Sequence, residues 1–345
     1  MARTRSISPS RGAMVLVLAL LAWAPAARGG SDYSDKDFSV RFASAFIRFT
    51  EVSAGGGGSS ASRWSSAINP ASAGWLNLPS KLGWVVAPYY SHICFDAGTQ
   101  IRVTGESVTW DTRKWGTFQP TMAQIRSNRD TNRQGLLFDY SVDTFQLIWA
   151  KRFGKWGAGA NFNYAQAEVV HKMGPFRVSE THAESYRFRF GGLYEPAEKW
   201  LVGLTAEYGF APYRATVFPM GPFGPAVRMR GTQQQYIVRP GVSYEYAKYS
   251  TAFIDYQYGS FFGKQGSLDH SHFSTGVNHR LLDWLFLRAG ASLDARGNHG
   301  WNCGAGVYLS EWCGFDIGYL QHTLPELRPE FGRARILQFT FNLRF

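Results

Sequence analysis

From Gly83 to Phe345 the chain alternates apolar and polar positions in segment after segment. In WLVGLTAEYGF, Trp200, Val202, Leu204, Ala206, Tyr208 and Phe210 share one parity, and Gly203, Thr205 and Glu207 share the other. QYIVRPGVSYEYAK sets Tyr236, Val238, Pro240, Val242, Tyr244 and Tyr246 against Arg239, Gly241, Ser243 and Glu245. SYRFRFGGLY and WLFLRAGASLD repeat the pattern, with Arg187, Arg189, Arg288 and Asp294 on the polar parity. A period of two is that of an extended strand, whose successive side chains point to opposite faces; a helix would repeat at three and four. The spacing predicts strands near 83–94, 98–111, 117–128, 140–153, 156–171, 176–194, 199–217, 229–247, 250–263, 267–280, 284–296, 300–310, 314–323 and 334–345. That is a count of fourteen, with twelve as the alternative, because the early segments alternate least cleanly.

Connections such as Phe153-Gly154-Lys155 and Leu281-Leu282-Asp283 are short and alternate with longer ones such as Pro219 to Val227. Strands joined this way, with aromatic residues on nearly every position of one parity, have two architectures open to them. A β-sandwich must cover each apolar face with a second sheet. A closed barrel in a bilayer faces its apolar parity to lipid and its polar parity to a wet interior, and closure removes the free edges that lipid could not satisfy. The density of outward Phe, Tyr and Trp favours the all-β transmembrane antiparallel barrel. The final strand, ARILQFTFNLRF, fits it: Leu337, Phe339, Phe341, Leu343 and Phe345 oppose Gln338, Thr340, Asn342 and Arg344. In a soluble sheet such an apolar edge would invite aggregation.

The N-terminal part reads differently. Arg3, Arg5 and Arg11 precede an apolar run from Met14 to Trp23 and the small residues Ala24-Pro25-Ala26-Ala27, the layout of a secretory signal peptide spanning 1–26. The run is too short for a membrane-spanning helix. Residues 27–82 alternate poorly and contain AGGGGSS, Ala54 to Ser60, which predicts an irregular segment, either a linker or a plug folded within the barrel that occupies 83–345.

Composition agrees: 16% of the 345 residues are aromatic and 37 are glycine. The net charge of +11 points to an anionic neighbour. Export argues against nucleic acid and for outer-membrane lipids and lipopolysaccharide. Cys94, Cys303 and Cys313 are too few for a disulfide framework, and a turn near Glu311 would hold Cys303 and Cys313 too far apart to bridge.

The polar parity is charged. Arg187, Arg189, Glu207, Arg239, Glu245, Asp255, Arg288, Asp294 and Asp316 would face the lumen, either as ion pairs holding plug and wall together or as a polar site for an anionic group. LDHSHFSTGVNHR carries His270, His272, Ser274, Asn278 and His279. His272 and Ser274 would share a face, as a base and its nucleophile must. The flanking residues do not match the serine hydrolases of outer-membrane barrels, and His270 and His272 have no third metal ligand. The expectation is a non-enzyme with no metal and no cofactor.

RWSSAINPASAGWLNLPSKLGW, with Asn69, Pro70 and Ala71, resembles the region around the NPA motif of FadL-type outer-membrane transporters. HFSTGVNHRLLDWLFLRAGASLD and GAGVYLSEWCGFDIGYLQHTLPE are similar to the same family. The resemblance implies a fourteen-stranded barrel plugged by its N-terminal segment, with Asn69-Pro70-Ala71 in the plug. It also implies passive passage of a hydrophobic small molecule, such as a long-chain fatty acid, past the plug and sideways into lipid. The terminal strand, with Phe339, Phe341 and Phe345, resembles the signal read by the outer-membrane assembly machinery. The alternatives are a porin for polar solutes and a structural or secretion-associated barrel.

Overall fold

The computed structural model describes residues 33–36, 38, 41–45, 58–76, 83–128, 130–219, 225–264, 266–310 and 312–345. The expected signal peptide, residues 1–26, lies outside them, as do Gly55, Gly56 and Gly57 of the glycine run. Among the described residues there are fourteen strands: β1 Trp84–Phe95, β2 Gln100–Asp111, β3 Thr117–Ser127, β4 Leu137–Phe153, β5 Trp156–Met173, β6 Phe176–Tyr194, β7 Trp200–Val217, β8 Val227–Ala247, β9 Ser250–Gly263, β10 Gly266–Leu282, β11 Leu285–Asp294, β12 His299–Tyr308, β13 Cys313–Gln321 and β14 Ala334–Arg344. Every neighbour in sequence is an antiparallel neighbour in space, and β14 returns to pair with β1, so the sheet closes. The largest displacement from the alternation pattern is the start of β4, at Leu137 rather than 140.

Alternation decides which way each side chain points. Along β7, Leu201, Gly203, Thr205, Glu207 and Gly209 are buried while Leu204, Ala206 and Tyr208 are exposed. The outward face is apolar and banded. At the end where the turns are short, such as 154–155 and 283–284, Trp84 stacks on Trp110, Trp156 on Tyr194, and Trp200 lies against Tyr244. Higher up the wall runs a second band of Tyr164, Tyr186, Phe210, Tyr208, Tyr236 and Phe262, with neighbouring rings 5.0–6.2 Å apart. The stretch of β7 from Trp200 to Phe210, at ~3.4 Å per residue and a tilt of ~40°, rises about 26 Å, the height of a lipid-facing band between two aromatic girdles.

Four prolines interrupt the wall. Pairing of β1 with β14 skips Ala87 and Pro88, that of β2 with β3 skips Gln119 and Pro120, that of β6 with β7 skips Ala211 and Pro212, and that of β8 with β9 skips Arg239 and Pro240. Each proline pairs on its other side, with Glu106, Leu147, Thr232 and Leu204 respectively. Proline lacks the N–H that a ladder needs, so one of its two neighbours loses contact.

The largest apolar cluster lies inside the wall toward the long connections, among them 128–136 and 322–333. Ile93, Ile101, Ile125, Phe138 and Tyr140 of the wall meet Leu324, Leu327 and Phe331 of the β13–β14 connection, which carries a short helix Arg328–Phe331.

Candidate functional site

The interior of the barrel is occupied at both levels by pieces of the N-terminal region. Near the short-turn end, residues 58–76 pack against the inner faces of β4 to β9. Their seat is made of glycine. A Cβ at Gly159 would lie 2.5 Å from the backbone of Pro70 and Ala71, and a Cβ at Gly157, Gly191, Gly203 or Gly241 would overlap Trp75, Asn69, Ser60 or Asp255. Gly159 stands directly opposite Gly191, and Gly203 opposite Gly241, so neighbouring strands present bare backbone at one level.

Asn69, Pro70 and Ala71 sit at the centre of this contact. Asn69 is fully buried and caps a 3₁₀ turn, Pro70–Trp75, by accepting from the Ala71 amide at 3.0 Å. Its amide group donates to the Ser60 carbonyl at 2.6 Å and to the Gly192 carbonyl of β6 at 3.0 Å. Pro70 takes the first helical position, where its fixed φ suits the turn and its missing N–H is not needed. Trp75 ends the turn beneath the Arg152 guanidinium, 3.8 Å from its ring centre.

The charged residues singled out in the sequence fall into separate contacts rather than one site. Arg189 pairs with Glu207 at 2.6 Å and donates to the carbonyls of Ala67 and Ile68, while Arg187 lies 3.8 Å from Glu207 and donates to Asn163. Asp255, 2% exposed, accepts from the Ser59 hydroxyl at 2.8 Å, the Ser60 amide at 2.7 Å and the Ser60 hydroxyl at 2.9 Å. Arg239 donates to Gln257. Glu245 lies 3.7 Å from Arg63. Arg288 and Asp316 pair at 2.6 Å on the opposite side of the barrel. Asp294 accepts from the Tyr33 hydroxyl at 2.9 Å near the long connections. Buried charges need such partners, and several of them here are backbone groups of residues 59–68.

At the other level, Phe38 and Phe42 pack into the large apolar cluster, Phe42 edge-on to Tyr140 at 4.8 Å. Arg41, 4% exposed, makes a two-pronged pair with Glu330 at 2.6 and 2.5 Å, and the Ser44 hydroxyl donates to Glu326 at 3.2 Å. Alternation gave no warning of these contacts, because residues 33–45 have no strand period; the one signal was the aromatic spacing of Phe38 and Phe42. The glycine seat was visible as inward-parity glycines in four consecutive strands, but only the register shows that they align.

Beside residues 58–76 the wall leaves a cavity of about 910 Å³ toward the short turns, with a mixed lining that includes Tyr89, Thr121, Gln146, Asn278, Arg288 and Asn342 together with Arg63 and Ile68 of that segment. The residues weighed for catalysis are divided by the strand. His272, Ser274 and Asn278 have the inward parity of β10, whereas His279 points outward to the Tyr246 hydroxyl, 2.9 Å away. His270 is committed to the Tyr33 hydroxyl at 2.8 Å. The cysteines are free, Cys303 standing opposite Tyr319 and Cys313 opposite Leu343.

A closed antiparallel barrel with an apolar, aromatic-banded outer face and polypeptide packed within it has the architecture of a transmembrane β-barrel. In fold the chain is similar to FadL-type transporters. Over 86% of its length it superposes on 98% of the Ralstonia pickettii toluene transporter TbuX, with a TM-score of 0.57 and 10% identity. The monoaromatic hydrocarbon channel CymD gives 0.56 at 12% identity and a Pseudomonas aeruginosa FadL homologue 0.54 at 12%, both with the same coverage. No protein-family profile matches the sequence. No curated protein matches it either.

Proposed function

We propose that this protein carries hydrophobic small molecules passively across a bacterial outer membrane, with residues 27–82 as a plug and no covalent chemistry. The observation that supports the reading is the interior: residues 58–76 are seated on bare glycine backbone inside the wall, while the apolar cluster around Phe138, Tyr140 and Phe331 lies beneath the long, outward connections. A hydrophobic solute gains about 0.8 kcal/mol for each CH₂ withdrawn from water into such surroundings. The mixed lining of the lower cavity offers it much less, so the favourable way out is sideways, into lipid. Two proline breaks, between β1 and β14 and between β2 and β3, border that cavity, since Ala87, Thr109, Gln119 and Asn342 line it. The similarity in fold to a toluene transporter and to a monoaromatic hydrocarbon channel supports a hydrophobic cargo. Small aromatic hydrocarbons and long-chain fatty acids are the two cargo classes to compare.

Single-channel recording of the mature protein beside a form lacking residues 31–82 tests the reading. The intact protein is expected to be closed to ions and the shortened one to conduct. A large, steady conductance from the intact protein would instead establish a porin for polar solutes. Uptake of radiolabelled toluene and of a long-chain fatty acid into cells with and without the protein then separates the cargo classes.

A further inference from the structure

On its β9 side the β7–β8 hairpin rises beyond its neighbour at the long-loop end, while β6 runs beside β7 as far as Ser179, opposite Val217. β9 ends at Gly263, and its pairing with β8 stops at Gln234, whereas β8 continues back to Val227. On the outward parity of this projecting piece stand Arg214, Arg228 and Arg230, all exposed. Arg214 is directly opposite Arg230, and Arg228 follows two residues further along the same face. Like charges directly opposed across two strands destabilise the pair unless an anion lies between them. Protein carboxylates do not serve. Glu180 is engaged by Arg177 and His182, each at 2.7 Å, and Glu184 accepts from the Tyr186 hydroxyl. Among the described residues no carboxylate lies within ion-pair reach of the three arginines.

Their height identifies the missing anion. Phe210 belongs to the upper aromatic girdle and stacks on Tyr186 at 5.1 Å. Arg214 lies one short stretch of strand above it, about 10 Å along the membrane normal at the usual rise and tilt. That is the level of lipid headgroups. Guanidinium groups bind phosphate through paired N–H donors in a geometry that ammonium groups do not reproduce.

We infer that Arg214, Arg228 and Arg230 form an outward-facing site for the phosphate groups of a phosphorylated glycolipid in the outer leaflet, anchoring the projecting hairpin to the membrane surface. The site is independent of what the barrel transports.

The test uses the full-length folded protein in neutral detergent, titrated with bis-phosphorylated lipid A and with its dephosphorylated counterpart, and bound lipid is counted by native mass spectrometry. The wild type should prefer the phosphorylated lipid by about tenfold or more, the scale of one or two charge-assisted hydrogen bonds. The R214Q/R228Q/R230Q triple variant should lose that preference. Excess inorganic phosphate should not displace the lipid. Because these side chains are exposed, the variant should fold, which heat-dependent gel mobility checks; if it does not, the single variants R214Q and R230Q are each expected to weaken binding. An unchanged preference in folded variants, or ready displacement by inorganic phosphate, would overturn the assignment.

Discussion

A single oxygen of Asp255 accepts from two serine hydroxyls, and its partner oxygen accepts from the Ser60 amide, so one wall residue fixes the start of the N-terminal segment. Removing the carboxylate leaves three buried donors without their acceptor, at a cost of roughly 1–3 kcal/mol for each group left unsatisfied. Asp255→Ala is therefore expected to loosen residues 58–76 while the wall remains closed. Limited proteolysis in detergent measures this: cleavage within the segment should accelerate several-fold, with heat-dependent gel mobility unchanged. An equally protected segment would mean that the glycine seat alone holds it. Gly159→Val probes that seat separately. Its side chain would enter space held by the Pro70–Ala71 backbone, which cannot swing aside as a long side chain would. It too should expose the segment, and combining the two substitutions should add little beyond either, since both release the same contact.

At the level of the strands, the four proline breaks are local weaknesses in the ladder, separate from the register shifts near His171, Glu245 and Arg280. Hydrogen exchange of the bilayer-embedded protein should find the amides beside Pro88, Pro120, Pro212 and Pro240 less protected than those a few residues away on the same strands. The β2–β3 break carries a further sign, since the Gln119 side-chain oxygen is buried there without a hydrogen-bond partner. If cargo leaves through that break, tying it shut should slow uptake. A short cross-linker between Thr109→Cys and Gln119→Cys, with Cys94, Cys303 and Cys313 replaced, is expected to reduce toluene or fatty-acid uptake several-fold; undiminished uptake would move the exit to the β1–β14 break or elsewhere. The strands themselves were legible in the sequence, because each is lipid-facing on one side and the period of two is enforced along its whole length. The breaks were legible only as prolines, since which neighbour each one abandons depends on register. Asn69-Pro70-Ala71 stood out by resemblance, but its role as a capped turn on bare backbone depends on glycines more than eighty residues away in the chain. The contacts of residues 33–36, 38 and 41–45 were legible only in the spacing of Phe38 and Phe42, because packing by individual aromatic and ionic contacts leaves no period to read.

For the whole molecule the decisive event is closure, and it takes place at the terminal strand. The Phe345 amide donates to the Trp84 carbonyl at 2.9 Å, and β14 pairs with β1 from Ala334 to Arg344 apart from the skip at Pro88. Closing a sheet pairs its two edge strands, which is why a strand of bare alternating apolar residues is stable in lipid and hazardous in water. Phe345 contributes little to that closure by packing, since its ring is about half exposed and belongs to the outward face. We propose instead that the outward Phe345 ring is read by the outer-membrane assembly machinery before the barrel closes, when β14 is still an open edge. Removal of Phe345 should therefore leave the denaturant midpoint of protein refolded in detergent nearly unchanged, while the amount assembled in the outer membrane of living cells falls several-fold. A matching loss of stability in vitro would assign Phe345 to the wall itself, and normal assembly in cells would show that the alternation of Leu337, Phe339, Phe341 and Leu343 suffices as the signal.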